Sequence, residues 1–208
     1  MAFLLKMYEE NPNERHLNQI VEILRNGGLI IYPTDTVYSI GCDLHNPKAI
    51  ERVARIKNIK PEKADFSIIF DDLSRLSQYT KSVNNSTFKI LKRILPGPYT
   101  CILSASSVIP KLFKNNKKTI GIRIPDNAIP RSIVTKFDGP IIATSVHDDD
   151  EVIEYTTDPE LILEKYGHLV DVVIDGGYGD NYASTVIDFS LDTPEVLREG
   201  KGPIEGVL

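Results

Sequence analysis

"GGLIIYPTDTVYSIGCDL", Gly27–Leu44, decides how the chain is read. Leu29–Tyr32 is a short apolar run of aliphatic, β-branched and aromatic residues, the pattern of a buried strand. Two glycines stand before it, as they do where a helix has just ended. Pro33, Thr34, Asp35 and Thr36 break the run, and a second apolar piece follows at Val37–Cys42. Small hydroxyls at the end of a core strand mark the place where an open α/β sheet holds a ligand. They also satisfy ordinary turns and caps.

Upstream of this stretch, Asn11-Pro12 reads as a helix start. Leu17, Ile20, Val21 and Leu24 are its apolar stripe, and Gly27-Gly28 its end. Downstream, Asn46-Pro47 repeats the start signal, with Ile50, Val53 and Ala54 as the buried stripe. Lys57 falls on the same face one turn beyond Val53, either snorkelling or aimed at something. Strands are expected at 66–70, within 96–103, at 118–125, 140–145 and 170–177, and in the closing "STVIDFS" and "EVLREG". Helices are expected from Asp71, near 85–95 with Phe88, Leu91 and Leu95 turned inward, near 128–137 and near 158–166. This alternation predicts an α/β fold, a mixed sheet with helices packed on it. With no repeat or linker in view, one domain over 1–208 is expected, its core at about 13–202.

The 208 residues carry a net charge of −5, so nothing draws the whole molecule toward nucleic acid or an anionic membrane, and such a contact needs a local basic patch. Cys42 and Cys101 sit in apolar runs without a CxxC or clustered histidines, and read as buried free thiols. The opening "MAFLLKMYEENP" is too short in apolar residues for a signal peptide, and no run reaches the length of a membrane span. A cytoplasmic protein with no membrane contact is expected.

Polar side chains recur where strands end. Thr34 and Thr36 follow the first, Thr144 and Ser145 end "IIATS", and Ser184 and Thr185 open "STVIDFS". Arg123 lies inside "GIRIP" and Arg198 inside "LREG". Hydroxyls with arginines suit an anionic, oxygen-rich ligand, because the guanidinium fork makes paired hydrogen bonds to phosphate or carboxylate. Each has a plain structural reading too; Arg123, for instance, could pair with an acid such as Asp126. There is no GxxxxGK[ST], GxGxxG, G-x-S-x-G or H-E-x-x-H. "GGYGD" (176–180) reads as a turn, "HDDDE" (147–151) as a solvated acidic loop, and no metal ligand set is assigned.

The segments "GGLIIYPTDTVYSIGCD", "PGPYTCIL", "TIGIRIP", "IIATS", "STVIDF" and "REG" resemble, in order and spacing, the YrdC/YciO family, and cover nearly the whole chain. "HLNQIVEILRNGG", "FDDLSRLSQY", "KKTIGIRIP" and "TPEVLREGKG" resemble its YciO branch. The resemblance implies a twisted mixed parallel and antiparallel sheet with a concave basic groove. It implies a threonylcarbamoyl-AMP synthase-like reaction on L-threonine, bicarbonate and ATP, with Mg²⁺ accompanying the nucleotide, linked to tRNA modification. It implies Thr34 and Thr36 against the threonine, Arg123 on its carboxylate and Ser184 beside it. Ser145, Arg198 and Lys57 would face the nucleotide. Tyr38, Lys60 and Thr144 complete the binding set, with Lys57, Arg123 and Ser145 as the catalytic one.

Two departures from the synthases of that family stand out. Their K-x-R keeps Lys57 here but has Ile59 at the arginine position, so Lys60 or Lys63 would have to supply the charge. Their S-x-N reads Ser145-Val146-His147, followed by "DDDE". An RNA- or nucleotide-binding protein without synthase activity is therefore the alternative. Arg52, Arg55, Lys57, Lys60, Lys63 and "KLFKNNKK" (111–118) would form the surface for double-stranded RNA or tRNA.

Overall fold

The computed structural model describes residues 2–61, 64, 66–110, 118–146 and 156–207. The strands defined among them are β1 (Phe3–Lys6), β2 (Ile30–Tyr32), β3 (Ser39–Gly41), β4 (Ser67–Ile69), β5 (Tyr99–Ser104), β6 (Thr119–Arg123), β7 (Ile141–Ser145), β8 (Val172–Asp175), β9 (Thr185–Asp188) and β10 (Glu195–Arg198). The helices are α1 (Glu14–Arg25), α2 (Pro47–Ile56), α3 (Leu76–Tyr79), α4 (Asn85–Ile94), α5 (Ala128–Phe137) and α6 (Pro159–Tyr166). The strands form one mixed sheet in the order β1-β8-β2-β3-β7-β4-β6-β5-β9-β10. β1 and β2 run parallel to β8, β4 to β6 and β5 to β9; the other neighbours are antiparallel.

Four local expectations change. The N-terminal segment is not a bare tail: β1 pairs with β8 in the register Leu5↔Ile174 and buries Leu5. Four residues are too few for the alternation to show against the methionines and alanine around them. The first helix is capped by Asn13, not Asn11; the Asn13 side chain accepts from the amides of Arg15 and His16. In α4, Leu91 and the C-cap Leu95 turn inward as expected, but Phe88 is exposed and Thr87 and Ile94 are buried instead. The segment after Asp71 turns before α3 begins at Leu76.

Alternation along the strands sorts the side chains onto two faces. Ile31, Ile40, Ile68, Cys101, Ile122, Ile142, Val173 and Ile187 share one core with residues of α2, α4 and α6, which therefore covers that face from one half of the sheet to the other. Ile30, Tyr32, Ile69, Ile141, Ala143, Val172 and Ile174 share the second core with residues of α1 and α5. This second core ends part-way across the sheet. The residues that continue its face, each one step out of phase with the first core, include Ser39, Ser145, Ser67, Gly121, Arg123, Thr100 and Ser184, with Ile102 and Val186 among them. One half of one face is thus largely polar, with Ile102 and Val186 set into it.

Both cysteines are free and buried, and burial pushes the Cys101 thiol up to about 12, so it stays protonated near neutrality. Among the described residues no helix is long and apolar enough to cross a membrane.

Candidate functional site

The polar half-face carries two knots of side chains, and a third ties its edge to α2. The first is built on the loop after β2. The Thr34 hydroxyl donates to the Val37 carbonyl at 2.8 Å and accepts from the Thr36 amide at 3.0 Å. Its one proton is thereby used, so the 3.0 Å contact between the two hydroxyls has Thr36 as donor. Thr36 Oγ1 in turn accepts from Arg123 Nη2 at 2.8 Å. The same Nη2 donates to Asp35 Oδ1 at 2.8 Å, and Asp35 Oδ2 accepts from the Asp126 amide at 3.0 Å. Arg123 therefore pairs with Asp35, and Asp126 contributes its backbone rather than its carboxylate. The whole pair is buried, Arg123 being 6% exposed. Its Nε is fully buried and, like that of Arg131, has no hydrogen-bond partner among the described residues. Thr34 is left with no unused proton or lone pair, while Thr36 keeps one lone pair.

The second knot lies where β5, β9 and β10 meet. Thr100 Oγ1 and Ser184 Oγ share a hydrogen bond of 2.8 Å. Arg198 donates to the Ser184 carbonyl from Nε at 3.2 Å and from Nη2 at 2.8 Å, and Nη2 also reaches Ser184 Oγ at 3.4 Å. Between Thr100 and the first knot lies Gly121, where a Cβ would stand 2.9 Å from Ser67 Oγ and 3.1 Å from Thr100 Cγ2. Any larger side chain there would fill the floor.

The third knot joins α2 to β7. Lys57, the C-cap of α2, donates from Nζ to the Ser145 carbonyl at 3.1 Å. Ser39 and Ser145 are direct antiparallel partners. A lysine one turn beyond a buried stripe thus reaches a strand end, as its place in the sequence suggested.

Other candidates lie elsewhere. Thr144 points to the face opposite Ser145, so the two cannot serve one site from the same strand. Tyr38 is a core residue whose hydroxyl donates to the Gly177 carbonyl at 2.6 Å and accepts from the Gly176 amide at 3.2 Å. Lys60 is exposed beyond the end of α2, next to Ile59, which is 40% exposed. Arg52, placed with the cationic surface, is held by Asp171 at 3.0 Å and by the Gly27 carbonyl. Lys63, His147, the acidic run after it and residues 111–117 lie outside the described residues.

Two residues that the sequence did not single out connect the first two knots. Lys201 Nζ donates to the Asp35 carbonyl at 2.7 Å and pairs with Asp180 at 2.7 Å. Asp180 donates its amide to the Thr36 carbonyl at 3.1 Å. Burial works to raise the Asp180 carboxyl, and hydrogen bonds from Lys201, Tyr182 and Asn181 outweigh it, so it titrates below its ordinary value. The Lys201 amide binds the Ala183 carbonyl, beside Ser184. Asp35 was legible only as part of a loop, because an acid between two threonines has no pattern of its own.

Comparison with known proteins gives this arrangement a context. Residues 22–200 match the Sua5/YciO/YrdC family, described as "Telomere recombination". The chain belongs to that family. YciO of Escherichia coli is 39% identical over the full length of both chains. Its crystal structure superposes with a TM-score of 0.92, again over all of both chains. Threonylcarbamoyl-AMP synthase of Coxiella burnetii is 28% identical over 88% of this chain and 96% of its own. The crystal structure of P. abyssi Sua5 complexed with L-threonine superposes with a TM-score of 0.88 at 26% identity, over 98% of this chain and 59% of that one. The mixed sheet with flanking helices is therefore a Sua5/YciO/YrdC fold, and the family is a threonylcarbamoyl-AMP synthase-like one.

Proposed function

We propose that the polar half-face binds L-threonine and ATP and that the chain is a threonylcarbamoyl-AMP synthase-like enzyme using L-threonine, bicarbonate and ATP. The observation that carries this is Arg123, a guanidinium on the polar half-face held in place by Asp35 and Thr36 beside the threonine loop. A carboxylate suits such a site, because a fixed guanidinium attracts an anionic oxygen even where its fork is already engaged. The Sua5 complex with L-threonine and the synthase relative support the same ligand.

In this reading the threonine amine attacks the bicarbonate carbon, a C–N bond forms and water leaves. A carbamate oxygen then attacks the α-phosphorus of ATP, and the bond to pyrophosphate breaks. Arg123 holds the carboxylate and Ser184 lies beside it. Lys57, Ser145 and Arg198 face the phosphates, where fixed cations stabilise the charge that builds up at phosphorus. Lys60, exposed at the end of α2, supplies a further charge. Asp35 and Asp180 are committed to Arg123 and Lys201, so they do not form a resident metal site. No group of three or more metal-ligating side chains occurs among the described residues. Mg²⁺ would arrive on the nucleotide's own phosphates.

Ile59 favours a second reading. At the position where the synthases carry the arginine of K-x-R, this chain exposes an apolar side chain. Lysine nearby lacks the bidentate fork. The chain would then bind nucleotide or RNA without the condensation. The deciding experiment incubates the protein with ATP, Mg²⁺, bicarbonate and L-threonine. It reads pyrophosphate release and threonylcarbamoyl-AMP by mass spectrometry. Product that is lost in Arg123→Ala supports the first reading. No product, beside an active Coxiella-type synthase, supports the second.

A further inference from the structure

We infer that Tyr182 is the residue on which the adenine ring of ATP stacks. The inference rests on the ATP-binding reading above and adds the group that recognises the base, which hydroxyls and cations do not supply. An adenine ring offers two flat faces, and an aromatic side chain beside the phosphate-binding cations can cover one of them. Tyr182 is such a side chain, with 67% of its surface exposed. It stands two residues before Ser184 on the segment that runs into β9, and alternate residues of an extended chain share a side. Two residues of extended chain span at most about 7 Å. Arg198 is fixed on the Ser184 carbonyl through Nε and Nη2. The ring therefore borders whatever Ser184 and Arg198 hold.

The backbone that carries this ring is held on both sides of it. The Tyr182 amide donates to Asp180 Oδ1 at 3.0 Å, and Asp180 Oδ2 pairs with Lys201 at 2.7 Å. The Asp180 amide donates to the Thr36 carbonyl. On the other side, the Ala183 carbonyl accepts from the Lys201 amide at 2.8 Å. The C-terminal segment lies so close there that a Cβ on Gly200 would stand 2.3 Å from the same carbonyl oxygen. A tyrosine mounted in this way has only two side-chain torsions left to settle, so little freedom is lost when a base covers it. Tyr178, on the same loop, is placed differently. It is 81% exposed but lies six residues before Ser184. It follows Gly177, which has a φ of +93° and at which a Cβ would meet nothing within 4 Å. That end of the loop is turned around Tyr38, whose hydroxyl binds the Gly177 carbonyl and the Gly176 amide.

The test is isothermal titration of the full chain with ATP and with inorganic tripolyphosphate, which has no base, each with Mg²⁺. Proteins compared are the parent, Tyr182→Ala, Tyr182→Phe and Tyr178→Ala, and a circular-dichroism melt checks that each folds. Expected is about a tenfold loss of ATP affinity in Tyr182→Ala, the size of one base stacked on one aromatic ring. Tyr182→Phe keeps the ring and should bind ATP as the parent does. Tyr178→Ala should bind ATP unchanged, and tripolyphosphate affinity should be the same in all four proteins. Unchanged ATP affinity in Tyr182→Ala would overturn the inference, and weaker binding of a single-stranded oligoadenylate by that variant would then assign the ring to RNA. Equal losses for ATP and tripolyphosphate, or an unfolded Tyr182→Ala, would also overturn it, since the role would then be to support the loop. A loss in Tyr182→Phe as large as in Tyr182→Ala would overturn it by moving the contact to the hydroxyl. An equal loss in Tyr178→Ala would overturn the assignment to one ring. A parent chain that binds tripolyphosphate as tightly as ATP would sink this inference alone. A parent chain that binds neither would sink the ATP-binding reading itself.

Discussion

Among single residues, Thr34 shows how a candidate can lie at the site without facing the ligand. The resemblance places it against substrate, yet its proton and both lone pairs are filled by Val37, the Thr36 amide and the Thr36 hydroxyl. Its work is to turn the Thr36 proton away from Arg123, so that Thr36 can accept. Thr34→Val keeps the shape and removes the oxygen. It leaves a buried carbonyl, an amide and a hydroxyl without their partner, and should destabilise the protein by about 1–3 kcal/mol. Thr34→Ser keeps the oxygen and should stay within about 1 kcal/mol of the parent. Urea denaturation checks both. A Thr34→Val protein as stable as its parent, but weak in L-threonine binding, would return Thr34 to the role of a direct contact. What the sequence could show here was the gathering of hydroxyls and arginines. Which hydroxyl donates to which oxygen depends on partners from β2, β6 and the C-terminal segment, and no spacing within one stretch encodes that.

Secondary-structure elements explain both what was legible and what was not. The helices announced themselves through stripes and caps: Asn46 caps α2 and Asp158 caps α6, each just before a proline at the first turn. Asn11-Pro12 has the same look, but the cap is Asn13. Two asparagines flank one proline, and only the path of the chain after β1 selects between them. Asn13→Ala should therefore cost about 1 kcal/mol, and Asn11→Ala less than about 0.5 kcal/mol. Thermal melts of the two single variants decide it, and an equal loss for both would contradict the observed cap. The polar half-face has the same kind of origin. β6 reads "TIGIR", with Ile120 and Ile122 in the first core and Gly121 and Arg123 on the other side. The alternation is visible in the sequence, but how far helices among the described residues cover the second side is set by where α1 and α5 stop.

For the molecule as a whole, the site is closed by segments far apart in the chain. The loop after β2, the loop after β8 and the C-terminal segment meet at Lys201, which binds the Asp35 carbonyl and the Asp180 carboxylate. The C-terminal segment is laid along β9 by a run of hydrogen bonds. Gly200 donates its amide to Thr185 Oγ1 at 2.9 Å, and Thr185 Oγ1 donates to the Gly202 carbonyl at 2.5 Å. Tyr99 donates to the Pro203 carbonyl at 2.7 Å. Gly200 is there because nothing larger fits: a Cβ would stand 2.3 Å from the Ala183 carbonyl oxygen and 2.6 Å from Ser184 backbone atoms. These are backbone atoms just before β9 and cannot turn aside as a side chain can, so Gly200→Ala must lift the segment. That lift draws Lys201 away from Asp35 and loosens the support of Arg123. L-threonine affinity should fall several-fold, with the Asp35→Asn protein showing less than the parent's sensitivity, because the lysine acts through the same residue. Gly206, whose Cβ would meet nothing within 4 Å, is the control. It sits at a φ of +72°, so Gly206→Ala should cost about 1 kcal/mol of stability while leaving binding unchanged. Titration of both variants with L-threonine separates a segment that shapes the site from one that only completes the fold. Equal affinities would mean that the C-terminal segment does not reach the ligand through Lys201.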